Sequence, residues 1–170
     1  MSALPEGEFW RFSLDRYARP GIAEACLELQ DREGADVNLL LLALWLGSLG
    51  RRLSAAEGAQ LAGVAADWQE PIVAPLRAVR RRLKERADLP WAEALSTWRG
   101  RVAEVELAFE QVEQLLLERA AGTGPGGAPS MAAARANIVA LGLARVLGTP
   151  QLERLLAAVE RRPVRSVMKS

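Results

Sequence analysis

Apolar residues recur along this chain at intervals of three and four, and almost no stretch alternates with a period of two. That spacing predicts helices throughout and an all-α fold. A first helix is expected over 5–18, with Phe9, Trp10, Phe12, Leu14 and Tyr17 on its buried face. Arg19-Pro20-Gly21 should end it, because the residue before a proline avoids the helical region. A second helix over 20–33 carries Ile22, Cys26 and Leu29 as one stripe, and Gly34 is its natural stop. Asp36 is placed to cap a third helix, 37–49. From Leu39 to Leu46 every residue is apolar, so this helix offers no face to water. It is therefore expected at the centre of a bundle. Burying each of its Leu and Trp side chains is worth about 1.5–3 kcal/mol.

Ser54 and Glu57 have the spacing of a capping box and open a fourth helix to about residue 66. Asp67 and Glu70 repeat the pattern and predict the start of a fifth, running to 86 with Pro71 in its first turn and Pro75 as a kink or as the true start. Its seam is Ile72, Leu76, Val79 and Leu83. A sixth helix, 90–121, has the seam Val102, Val105, Phe109, Val112 and Leu116, with Gly100 as a candidate break. The Gly/Pro-rich stretch 122–129 reads as a flexible linker. Ser130 should cap a seventh helix to about 147, Pro150 should open an eighth to about 161, and 162–170 reads as a frayed tail. The expectation is one bundle of seven to eight helices, a single domain spanning 1–170.

Composition narrows the chemistry. The chain has 170 residues, half of them hydrophobic, which is enough for a core without disulfides or metals. Lys and Arg total 22 against 21 for Asp and Glu, so the net charge of +1 exerts no global pull on nucleic acid or an anionic membrane. Cys26 is the lone cysteine, which rules out an internal disulfide and predicts a reducing compartment. The first residues lack the basic start and apolar run of a signal peptide, and no apolar run approaches the ~20 residues of a spanning helix. A cytoplasmic protein without a membrane span is expected. There is no histidine, so the commonest general base and metal ligand is missing. Cys-rich zinc sites and Cys-His nucleophiles are excluded. The glycines of 122–127 are not followed by the Gly-Lys-Ser/Thr of a phosphate loop, and no paired Asp-rich motif is present. No catalytic residue, cofactor or metal is assigned.

Three constellations remain. Arg77, Arg80, Arg81, Arg82, Lys84 and Arg86 make the fifth helix basic, while Glu93, Glu104, Glu106, Glu110, Glu113 and Glu118 make the sixth acidic. The plain expectation is a helical hairpin held in register by Arg–Glu pairs. The sharper one is an anion or nucleic-acid patch on Arg77, Arg80, Arg81 and Lys84, which share a face. Near-neutral total charge and the acidic neighbour argue against nucleic acid. The second constellation is Gln30, Asp36 and Asn38 beside the apolar third helix. Either they cap and solvate it, or with Tyr17 they face a pocket for a small ligand. The third is tryptophan: Trp45 is expected in the core, whereas Trp68 and Trp91, at helix starts, either staple turns or form a partner surface.

The blocks Phe9-Trp10-x-Phe12-Ser13-Leu14-x-x-Tyr17, Ala25-Cys26-Leu27-x-Leu29-Gln30-Asp31, Gly34-Ala35-Asp36-Val37-Asn38-Leu39-Leu40 and Trp45-Leu46 resemble the hallmark of a family of short proteobacterial proteins of unknown function. The resemblance covers roughly residues 8 to 120 and is concentrated in the first fifty; the linker and last two helices are less typical. It implies a bacterial, soluble, helical protein and transfers no catalytic residue. The leading reading of the sequence is a non-enzymatic interaction or regulatory module whose partner is another protein or a second copy of itself. The alternatives are a small-molecule-binding bundle, with or without enzymatic activity, and nucleic-acid binding through the Arg77–Arg86 helix.

Overall fold

The helix with no polar face, α3 (Val37–Ser48), is covered on every side: each residue from Asn38 to Gly47 is buried. The structure is a computed structural model that describes residues 4–86 and 88–157. Among these residues there are eight α-helices and no strand, so the fold is all-α. Around α3 lie α1 (Glu8–Tyr17), α2 (Ile22–Glu33), α4 (Ala55–Trp68), α5 (Ala74–Glu85), α6 (Ala92–Ala121), α7 (Met131–Ala140) and α8 (Pro150–Ala157). No helix among the described residues is long and apolar enough to cross a membrane.

Each neighbour covers α3 by a different device. From α1, the Phe9 ring stacks on Trp45 at 5.2 Å between centroids. From α7, the approach is backbone-close: a Cβ on Gly47 would lie 2.6 Å from the Cβ of Ala134, so only glycine fits there. Asn137 of α7 is fully buried but fully engaged. Its Oδ1 accepts from the Leu53 N–H at 2.7 Å, and its Nδ2 donates to the Arg51 carbonyl at 3.0 Å. The segment 122–129 runs back past the end of α3, where the Gly127 N–H donates to the Leu49 carbonyl and the Ser130 N–H to that of Gly47. The last two helices pack on the body, α7 against α3 and α8 against α2.

The caps fall where the sequence places them. Asp36 accepts from the Leu39 N–H, Ser54 and Glu57 form a reciprocal box, and Ser130 accepts from the Ala133 N–H. Three boundaries differ. The first helix starts at Glu8, where the Glu8 and Phe9 N–H groups donate to the Glu118 carboxylate of α6, an anion at a helix N-terminus. The expected start of a helix at Asp67 is not a start: α4 passes into α5 through a π-helical turn, Gln69–Val73. Pro71 and Pro75 lack N–H groups, and the widened turn absorbs them without breaking the rod; the Ala74 N–H bonds the Gln69 carbonyl five residues back. The seventh helix stops at Ala140 rather than near 147, because Gly142 turns left-handed at φ 76° and the Leu143 N–H closes on the Ile138 carbonyl. Gly100 does not break α6, a single 30-residue helix about 45 Å long. The expected tail, 162–170, lies outside the described residues.

Replacing Asn137 by the similarly sized Leu leaves the buried Leu53 N–H without an acceptor. A loss of about 1–3 kcal/mol in unfolding free energy is expected, measured by urea denaturation. An unchanged midpoint would show that the turn after α3 does not depend on this tie.

Candidate functional site

Leu14 and Tyr17 were expected in the core, yet they are 48% and 39% exposed. They face a cleft of about 570 Å³ that opens between the α1–α2–α3 side of the bundle and the α5–α6 pair. Tyr17 from the end of α1, Gln30 from α2, and Asp36 and Asn38 from the start of α3 line one wall. Arg77, Arg80, Arg81 and Lys84 of α5 line the facing wall. Two groups that the sequence presents as separate constellations thus meet across one space. Trp68 and Trp91 are elsewhere. The Trp68 indole N–H donates to the Phe109 carbonyl at 3.0 Å, holding α4 to α6. Trp91 lies at the head of α6, 69% exposed.

The floor is built from α6. Glu106, Glu110 and Gln114 line it, while Glu113, spaced to share their helix face, is fully buried and lies outside the lining. A buried polar chain crosses it: the Ser13 hydroxyl donates to Gln114 Oε1 at 2.8 Å, and Gln114 Nε2 donates to Asn38 Oδ1 at 2.8 Å. This chain joins α1, α6 and α3 and fixes the amide orientations at the base of the cleft. Asn38 is therefore a bonded member of the floor, and Asp36 both caps α3 and lines the cleft.

Charge is distributed unevenly over this floor. Glu106 is nearly buried and held by two arginines: Arg77 Nε donates at 3.0 Å and Arg80 Nε at 2.5 Å. Burial pushes the Glu106 carboxyl up, but hydrogen bonds from Arg80 and Arg77 outweigh it and leave the carboxyl below its ordinary range. Glu110 takes the second arm of Arg77 at 2.7 Å, yet burial wins there and raises it. Asp36 is also raised, by burial against the pull of the Leu39 and Asn38 N–H groups. Glu113 is fully buried, and neither of its oxygens has a hydrogen-bond partner. Burial first, then the negative charge of Asp36, push it up to about 8; the nearby Asn38 side chain and Arg77 only partly oppose this. The Gln69 Oε1 of the π-helical turn, also part of the cleft, is a further buried acceptor without a donor.

On the outer side the ion pair between Arg81 and Asp31, at 2.9 Å, is solvent-exposed and ties α5 to α2. The Tyr17 hydroxyl sits beside the buried Cys26 thiol, and burial pushes both groups up, Cys26 to about 11. Neither is a nucleophile at neutral pH. Among the described residues no group of three or more Cys, Asp or Glu side chains is arranged to hold a metal ion.

The sequence missed Ser13, Gln69, Glu106, Glu110 and Gln114 as members of a site, and Glu113 as a buried acid. Their signal was present as the spacing of the α6 glutamates, which was assigned to pairing with α5 alone.

A family model described as "Protein of unknown function (DUF2390)" matches residues 8–117. The chain belongs to the DUF2390 family. No curated protein and no solved structure matches it. The DUF2390 match runs from α1 through most of α6 and takes in every residue that lines the cleft, from Trp10 to Gln114. It ends before the 122–129 segment, α7 and α8.

The raised Glu113 carboxyl sets a pH dependence with a defined sign. The unfolded chain releases this proton near the ordinary value of 4.5, whereas the folded protein holds it to about 8. Between these values the folded state carries more protons, so stability falls as pH rises through the window. Urea midpoints should be higher at pH 5 than at pH 8.5. In Glu113→Gln the difference should shrink and the midpoint at pH 8.5 should rise. A wild-type midpoint that increases from pH 5 to 8.5 would contradict the buried carboxyl.

Proposed function

We propose that this protein is a small-molecule-binding helical bundle whose ligand occupies the cleft between the α1–α2–α3 wall and α5. The observation that carries this reading is convergence: Tyr17, Gln30, Asp36 and Asn38, from three separate helical segments, meet on one wall opposite Arg77, Arg80, Arg81 and Lys84. Leu14, Leu27 and Leu107 add exposed apolar surface inside the same space, the mixture typical of ligand pockets. The reading is of a binding protein rather than an enzyme, and no residue is given a catalytic role. Nucleic-acid binding loses support, because Arg77, Arg80 and Arg81 already face carboxylates. We take 1–170 as one domain, since α7 and α8 pack on α3 and α2. We take the setting to be the cytoplasm of a bacterium; the free, buried Cys26 is consistent with a reducing compartment.

Native mass spectrometry of protein purified gently at low salt tests the cleft. A discrete small added mass on the wild type, lost in Asn38→Leu, is the expected result. Wild-type protein that always appears at its bare chain mass would count against a resident ligand.

A second reading follows from the far half of α6. Trp91, Trp98 and Val105 are 69%, 56% and 44% exposed and lie seven residues apart, on one line along the helix. That is the repeat of a helix-pairing seam, and the occupant we propose is a second copy of the chain. Sedimentation velocity should show a concentration-dependent dimer that Trp98→Glu disperses. A monomer at every concentration would remove the seam as a self-association surface.

A further inference from the structure

Along the leading half of α6, Trp91, Ala94, Trp98, Arg101, Val105 and Ala108 follow one another at intervals of three and four, and all six are exposed. Leu95, Val102 and Phe109, on the adjoining face, are partly covered. The exposed row therefore has the spacing of a helix-pairing seam. Its order of sizes favours one direction of pairing. Laid end to end against a reversed copy of itself, the row sets Trp91 against Ala108, Ala94 against Val105 and Trp98 against Arg101. Laid against a copy running the same way, it sets tryptophan on tryptophan and Arg101 on Arg101. Charge points the same way. The Arg101 guanidinium lies over its own Trp98 ring, 4.8 Å from the centroid. In a parallel pair the two guanidiniums would meet at one level, with no carboxylate in the row to offset them. In an antiparallel pair each guanidinium also reaches the Trp98 ring of the other copy, a second cation–π contact.

We infer that two copies of the chain pair through antiparallel α6 helices, with Trp98 and Arg101 of each copy crossing at the centre. The inference rests on the self-association reading above and gives that interface its direction and register. Sliding one helix by a heptad either draws in Val112 and Leu115, which are already partly covered, or leaves Val105 and Ala108 unmatched. The contact uses the same patch on both copies, so it closes at two and does not propagate into a filament. Two partly exposed tryptophans bring on the order of 200–300 Å² per copy, against about 800 Å² per partner in a standard interface, so the dimer dissociates on dilution. At about 3.6 residues per turn the seam lies roughly opposite the α6 face that carries Glu106, Glu110 and Gln114. Pairing therefore leaves both clefts open.

Engineered cysteines read the direction, because the native Cys26 is buried. Ala94→Cys and Val105→Cys are small changes at exposed positions, each made in the full chain. Both are oxidised mildly at a concentration where sedimentation shows the dimer, separately and as an equal mixture. The expected result is a disulfide joining the two variants in the mixture and none in either variant alone. In the antiparallel register the two copies of position 94 lie eleven residues apart along the seam, about 16 Å, well beyond the reach of a disulfide. A disulfide in Ala94→Cys alone would make the pair parallel and overturn the inference, with the seam kept as the interface. A sedimenting dimer that gives no disulfide in any sample would put the contact elsewhere and overturn it as well. A monomer at every concentration would remove self-association itself, and the antiparallel pairing with it.

Discussion

A helix with apolar residues on every side can exist in water only if other elements cover all of it. Here α3 sets that condition, and most of the fold can be read as the answer. Phe9 stacks on Trp45 from one direction, and α7 closes on Gly47 at backbone distance from another. The carbonyls at the end of α3 are taken up by the Gly127 and Ser130 N–H groups. Asn137 secures the turn that follows. At the start of α3 the cover is made by polar side chains. Asp36 and Asn38 sit there, and the cleft forms where the cover is polar.

Much of this was legible in the sequence. Asp36, Ser54 and Ser130 cap helices because a short side-chain oxygen before an apolar run has only one economical use, and it is local. The central place of α3 was legible for an equally simple reason, since it has no polar face to expose. What escaped depends on tertiary context. Pro71 and Pro75 read as a break, but packing of the rod against α6 is retained by widening one turn. Leu14 and Tyr17 read as core because helical spacing marks a face without saying whether that face meets protein or a cavity. Asp36, Asn38, Gln30 and Tyr17 were legible as polar residues in need of a partner, and Arg77, Arg80, Arg81 and Lys84 as one helix face. That the two sets oppose each other follows from how α5 and α6 lie on α1 to α3, which no local spacing encodes.

The α6 glutamates show how one repeat serves two purposes. Glu106 is structural in effect, because two arginines hold it and its anion is favoured. Two turns further on, the same face enters a region where burial dominates and Glu113 is held in its neutral form. The difference lies in the reach of α5: its arginines satisfy the first two glutamates of the row and do not bond the third. A charge pattern that looks uniform along the helix is therefore split by position into a clasp and an uncompensated acid.

The cover of α3 also fixes an order of events during synthesis. Ala43 is separated from Asn137 by 94 residues, and α1 waits for a cap from Glu118, 110 residues after Glu8. At about 5–20 residues per second, the most hydrophobic segment of the chain leaves the ribosome roughly 5–20 s before the helix that seals it. The nascent chain in that interval carries a sticky, unfinished surface that only its own last third can remove. A chaperone that holds apolar helices, or slow release of the early segment, thus has a task defined by the chain order alone.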